Sequence, residues 1–437
     1  MIISRAHTVS GGDRLSFRVR SGCGGFLQAP AWALALVLLL LGLAASPASG
    51  AGSASLKRET SVTVKAAPVA AGLYHGLALT STGAVLAWGW NIVGQLGNGS
   101  TNGSDVPVEV RLPGGTKVTG IAAGFAHSVA LTSTGAVLAW GKNYNGNLGN
   151  GSTTDSDVPV KVNLPVGTKV TAVAAGAEYN LALTSTGAVL AWGYNADGQL
   201  GDGSTGTSDV PVNVSLPTGT KVTAVAAGAL HSLALTSTGA VLAWGYNADG
   251  ELGDGNTTNG DVPVKVNLPP GTKVTAVAAG GYYSLALTST GAVLAWGYNA
   301  DGELGDGNRT NSDVPVKVKL PAGTKVTSIA GGSFPEGVGT DTAGPGHSLA
   351  VTSTGAVLAW GYNADGELGD GNRTNSDMPV KVKLPAGRKV TAVAAGELNS
   401  LAVTSTGAVF AWGGNNFGQL GDGSYEGSDV PVHVNLP

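Results

Sequence analysis

One cysteine, two methionines and a charged fraction of only 12% set the first limits on this 437-residue chain. The cysteine is Cys23, so everything downstream lacks both a disulfide framework and a thiolate metal site. Packing and hydrogen bonds alone must hold the fold. So few charges exclude a disordered polyelectrolyte. The main apolar run, residues 31–45, falls short of the roughly 20 residues that a bilayer span needs. There is no H-E-x-x-H, no P-loop, and no nucleophile at a readable spacing from a base. Gly201, Gly203 and Gly206 spell G-x-G-x-x-G once, but no strand-to-helix junction surrounds them, and the match is read as chance.

What the chain has in excess is glycine, 70 residues, and a repeat. The stretch T-S-T-G-A-V-L-A-W-G at Thr80–Gly89 returns six more times, placing tryptophan at Trp88, Trp140, Trp192, Trp244, Trp296, Trp360 and Trp412. The step is 52 residues except between Trp296 and Trp360, where it is 64. Leu-Pro keeps the same beat, from Pro113 to Pro437. The glycines recur at fixed places in each unit, so they read as turn chemistry rather than disorder. A fixed period of this length signals repeat architecture.

The fourth copy shows the unit. Lys221–Gly228 reads as a strand of small and β-branched residues, Ala229–His231 as a short connection, and Ser232–Thr236 as a second strand. Ser237–Gly239 is a tight turn, Ala240–Gly245 a third strand, Tyr246–Gly260 a polar loop, and Asp261–Val266 a fourth strand. Pro263 cannot donate to a ladder, which sends the fourth strand to the outer edge. Short strands at regular spacing predict an all-β, seven-bladed β-propeller of four-stranded antiparallel blades, with the small-residue strand innermost. A stacked solenoid is the alternative, but it would want atypical end repeats.

The predicted divisions are a signal peptide or N-terminal membrane anchor over 1–50, a linker over 51–60 and the propeller over 61–437. Arginines, the apolar run and then small residues through Gly50 form the pattern of an export signal. The net charge of −4 divides into +3 over residues 1–50 and −7 over the rest. An acidic body argues against nucleic acid as a partner. The basic pair Lys317 and Lys319 is read as the solvated face of a strand.

The motifs A-A-G-x-x-H-S-L-A-L-T, G-A-V-L-A-W-G, N-x-x-G-x-L-G-x-G and D-V-P-V together resemble the regulator of chromosome condensation repeat family over residues 61–437. The resemblance implies the same seven-bladed ring. It leaves function open, since that family places nucleotide exchange on a small GTPase, ultraviolet-B reception and secreted enzyme inhibition on one scaffold. The export pattern points to an exported bacterial-type member, secreted or held at the cell envelope. In this family's frame the seven tryptophans sit at the structural position between blades.

The most variable stretch among the seven copies is the connection between the first two strands, with residues 333–347 an insert in the sixth copy. Alternating strand directions put these connections and the long loops at one mouth of the ring. The candidate partner-binding residues are therefore Tyr74, His75, Phe125, His127, Glu178, Tyr179, Leu230, His231, Tyr282, Tyr283, Phe334, His347, Glu397 and Asn399. Each histidine has a competing reading as a structural residue satisfying nearby backbone. The acidic loops, such as Asp249, Glu251 and Asp254, do not match calcium-loop spacing, and no metal or cofactor is expected. The resulting expectation is a non-enzymatic, monomeric scaffold that binds a protein through one rim, with membrane contact only through the N-terminal segment. The alternatives are a regulator of a small GTPase resembling the exchange factor, or a module binding surface glycan or cell wall.

Overall fold

The computed structural model describes residues 64–332 and 346–437. They form seven four-stranded antiparallel sheets, each built from four consecutive strands. In the fourth blade these are Val222–Ala227, His231–Thr236, Val241–Gly245 and Gly260–Lys265. The first strands converge on the axis, where Ala71, Ala123, Ala175, Ala227, Ala279, Gly331 and Ala395 line a narrow channel. Their small side chains are what the convergence requires. A Cβ on Gly228 would stand 2.6 Å from the Gly280 carbonyl oxygen of the next blade.

Among the described residues the ring closes without strand exchange. The first strand of blade one packs against Val390–Ala395 and Asn399–Thr404 of blade seven. The core is accordingly divided into slabs between neighbouring blades. In one slab Leu233, Leu235, Val241, Leu252 and Val266 of blade four meet Val274, Ala286, Leu294 and Trp296 of blade five. All seven repeat tryptophans are fully buried in these slabs. Each indole Nε1–H donates to a loop carbonyl of the preceding blade, as Trp244 does to Gln199 at 2.9 Å. Trp88 donates to Gln419 across the junction of the chain's two ends, at 2.9 Å.

The outermost strands carry the prolines, and valines such as Val262 are exposed along that rim. The expected segments over residues 1–60, together with Phe334 and the insert up to residue 345, lie outside the described residues. No helix among the described residues is long and apolar enough to cross a membrane.

Candidate functional site

The connections between first and second strands and the long loops share one mouth of the ring. There the chain ties adjacent blades by backbone hydrogen bonds: Leu73 N–H to Phe125 O, Phe125 to Ala177, Ala177 to Ala229, and Ala229 to Gly281, at 3.0–3.3 Å. This collar holds the mouth residues on a rigid base. Each long loop is stapled by a buried asparagine. Asn247 Nδ2 donates to the carbonyls of Asn256 and Thr258, while its Oδ1 accepts from Leu252 N–H. Gly253 has a φ of +64°, and a Cβ there would meet the Trp296 ring at 2.7 Å, so glycine lets the loop lie on the indole.

The expected contact residues separate into two groups. His75, His127, Tyr179, His231, Tyr283, His347 and Asn399 are the first residues of the second strands, not part of the connections. Their side chains therefore turn between blades, and none is more than 1% exposed. As contacts for a partner they are withdrawn.

What most of them make instead is a belt of interblade hydrogen bonds. His75 Nε2 lies 3.0 Å from Ser128 Oγ, His231 Nε2 2.9 Å from Ser284 Oγ, and His347 Nε2 2.7 Å from Ser400 Oγ. Ser128 spends its proton on the Gln95 carbonyl, so His75 donates through Nε2. His127 donates likewise to Asn180 Oδ1 at 2.9 Å. Burial pushes His75 and His347 down to about 3, and His127 and His231 down to about 4, keeping these rings neutral. Tyr179 and Tyr283 reach the carbonyls of His231 and His347 in the next blade.

The belt has one gap. At the junction of blades seven and one, both amide atoms of buried Asn399 lack a hydrogen-bond partner. The position opposite, occupied by Ser or Asn in the other blades, is Gly76.

The second group stays at the mouth. Tyr74 and Phe125 are half-buried, while Leu230, Tyr282, Glu178 and Glu397 are buried in its wall. Leu73, Leu230, Tyr246 and Tyr282 form an apolar lining, joined by Tyr74, Phe125, Tyr194 and Tyr298. Several of these lining residues were not among the expected ones. Leu73 belongs to a connection, and Tyr194, Tyr246 and Tyr298 come from the position after each Trp-Gly pair, which reads Trp90, Lys142, Tyr194, Tyr246, Tyr298, Tyr362 and Gly414. That column is tyrosine in four copies and differs in the other three, and this aromatic bias was the available signal.

Across the same junction where the belt fails, Tyr74 and Phe417 stack with centroids 4.7 Å apart, and Trp90 lies 6.0 Å from each. The field there is negative. Tyr74 is pushed up to about 12 by burial and then by Glu397 and Asp365. Tyr362 is raised by burial and then by Glu367, Asp365, Asp301 and Glu397. On the other side Lys142 pairs with Glu178 at 2.5 Å and sits 5.7 Å from the Phe125 ring centroid. No group of His, Cys, Asp or Glu converges as metal ligands among the described residues.

One loop position carries unusual chemistry. It is Gln95, Asn147, Gln199 and Gln419 in four blades, but Glu251, Glu303 and Glu367 in the other three. In every blade a side-chain oxygen accepts from the backbone N–H two residues earlier, such as Asp301 N–H to Glu303 at 3.0 Å. The three glutamates are essentially inaccessible, and Oε1 of each has no hydrogen-bond partner. Burial, with the adjacent aspartate adding to it, pushes Glu303 and Glu367 up to about 8 and raises Glu251 well above the carboxylate range.

Charge is sorted along the axis. Among the described residues, every acidic side chain except Glu109 lies in the mouth loops or the first two residues of the outer strands leaving them. The Ser-Thr-Gly-Ala turns and Leu-Pro connections of the opposite end contain no acid at all.

Comparison with known proteins bears on the whole ring. The model of an RCC1-like domain matches residues 165–437, and the regulator of chromosome condensation (RCC1) repeat matches 82–131 and 134–183. The chain is 34% identical to the ultraviolet-B receptor UVR8 of Arabidopsis thaliana, over 83% of this chain and 80% of that protein. It is also 34% identical to the mitochondrial RCC1 domain-containing protein RUG3 of the same plant, over 72% and 70% of the two chains. The crystal structure of human WBSCR16 superposes with a TM-score of 0.69 at 26% identity, covering 81% of this chain and 94% of that one. These relatives are plant and human proteins, so they give no support to a bacterial-type, exported member.

Proposed function

Because the chain belongs to the regulator of chromosome condensation repeat family, we propose that it is a non-enzymatic propeller that binds a protein partner through its acidic, aromatic mouth. The observation that carries this reading is the cluster of Tyr74, Trp90 and Phe417 beside Asp365 and Glu397, held on the backbone collar. Partly buried aromatics on a rigid base lose little conformational freedom on binding and commonly anchor interfaces. The surrounding carboxylates select a partner segment that brings arginine or lysine to the rings. RCC1-type rings place different surfaces on one frame, so the site rather than the fold carries the assignment.

Affinity capture with the full chain tests it. Tyr74→Ala with Phe417→Ala should lower recovery of the captured partner at least tenfold, with the ring still folded by circular dichroism. Equal recovery would move the contact away from this mouth. We also propose that the ring acts outside the cytosol, on the strength of the charged, apolar and small-residue pattern over residues 1–50. Fractionation of the native host reads that directly, and a cytosolic pool would remove it.

A further inference from the structure

The end of the ring opposite the mouth is a ring of lysines. Lys117, Lys169, Lys221, Lys273, Lys325 and Lys389 head the innermost strands, all exposed, one for each of blades two to seven. They are positioned alike: the turn glycine of the preceding blade lies against the lysine stem, as Gly187 does against Lys221 Cγ. Lys161, Lys265, Lys317 and Lys381 end outermost strands at the same level, again exposed. Among the described residues Glu109 is the one acidic side chain of that level, and none of these lysines is ion-paired. The −7 of the body conceals this, because among the described residues every acid but Glu109 is gathered at the mouth.

Like charges crowded without counter-charges destabilise the free protein and are relieved by an anionic partner. Three features decide which one. The cations are lysines with Arg388 the exception at the inner rim, and lysine is a hydrated point charge rather than the planar fork suited to reading nucleic acid. No Phe, Tyr or Trp among the described residues is exposed at this end to stack on bases; exposed Tyr144 and Tyr425 belong to the mouth loops. Finally, the chain enters the ring here, since Val64 pairs with Thr80 beside the first Ser-Thr-Gly turn. Just upstream the sequence reads Lys57-Arg58-Glu59, a net charge of +1, and beyond it comes the apolar run 31–45. The 18 intervening residues, 46–63, span at most about 60 Å.

From this we infer that the lysine-bearing end is a docking face for an anionic lipid surface, which the ring meets with its acidic mouth turned outward. The inference concerns the end opposite the proposed protein-binding mouth, so either can fail alone.

Co-sedimentation of the full chain with vesicles tests it, comparing phosphatidylcholine alone with phosphatidylcholine containing about 30% phosphatidylserine at about 0.1 M salt. Binding should be at least tenfold tighter to the anionic vesicles and weaken steeply with salt. Lys221→Glu, Lys273→Glu and Lys325→Glu together should lower it about 100-fold, at about fivefold per lysine. If that variant misfolds, Lys265→Glu, Lys317→Glu and Lys381→Glu, whose stems meet no turn glycine, read the same loss. Asp254→Asn with Asp306→Asn, at the other end, should leave binding intact. Equal binding to both vesicles would assign attachment to the apolar run alone and overturn the inference. So would failure to bind either vesicle while a double-stranded oligonucleotide binds tightly.

Discussion

Replacing Glu303 by Gln should stabilise the ring, and only above acidic pH. The folded chain holds the Glu303 carboxyl protonated up to about 8, whereas in the unfolded chain it ionises at its ordinary 4.5. Between those values the folded state binds the extra proton, so stability falls as pH rises through that window. At 1.36 kcal/mol per pH unit above 4.5, the cost at pH 7 is about 3 kcal/mol, and below pH 4.5 it vanishes. Glutamine removes the titration while keeping the shape. Gln199 already fills the equivalent site, accepting from Asp197 N–H at 3.0 Å and leaving its Nε2 without a partner, as Glu303 leaves Oε1. For the roughly 360 described residues, about 3 kcal/mol corresponds to a rise of roughly 4 °C in the thermal midpoint. Calorimetry on wild type and Glu303→Gln at pH 5, 6, 7 and 8 reads it, and Glu367→Gln should behave alike. A midpoint difference that is the same at pH 5 and pH 8, or absent at pH 8, would refute a protonated buried carboxyl.

Asn247→Ala should cost about 2–4 kcal/mol by leaving Leu252 N–H and two carbonyls unpaired, with faster amide exchange confined to the 246–260 loop. Gly253→Ala should lower the midpoint by several degrees, since its positive φ and the Trp296 ring both oppose a methyl group. Tyr179→Phe should cost only about 1 kcal/mol, because the His231 carbonyl keeps Gly228 N–H as a second donor at 2.8 Å. Tyr74→Ala should reduce partner capture, which Tyr179→Phe should leave unchanged; equal effects of the two variants on capture would contradict their assignment to mouth and belt.

The fold was legible because its signals repeat. A 52-residue beat, Pro263 in the fourth strand and alanine runs in the first locate blade, edge and axis without any tertiary knowledge. The site was less so, for a reason one residue wide. Placing His231 in the connection makes it a mouth residue; the second strand in fact begins there, and strand alternation turns the side chain inward. Burial hid the chemistry of Glu251, Glu303 and Glu367, which in sequence look like any solvated acidic loop. The axial sorting of charge was in plain view, but a net sum over the chain erases it. Reading the pair Lys317 and Lys319 as the solvated face of a strand took no account of the six lysines that share the end of Lys317 at one fixed position.

The junction between blades seven and one has consequences beyond the fold. There no peptide linkage joins the neighbours, and Asn399 faces Gly76 where a bond would otherwise form. Trp88 and the Gly423 amide, which donates to Asp105 at 2.9 Å, still cross it. A ring so made opens first at its own ends. Tyr74 and Phe417 stand on opposite lips of that opening, so an occupant wedged between them would act as a clasp, and capture of the partner would slow the ring's unfolding even though it touches only one rim. A circular permutant with fresh termini cut between blades three and four would lose that dependence.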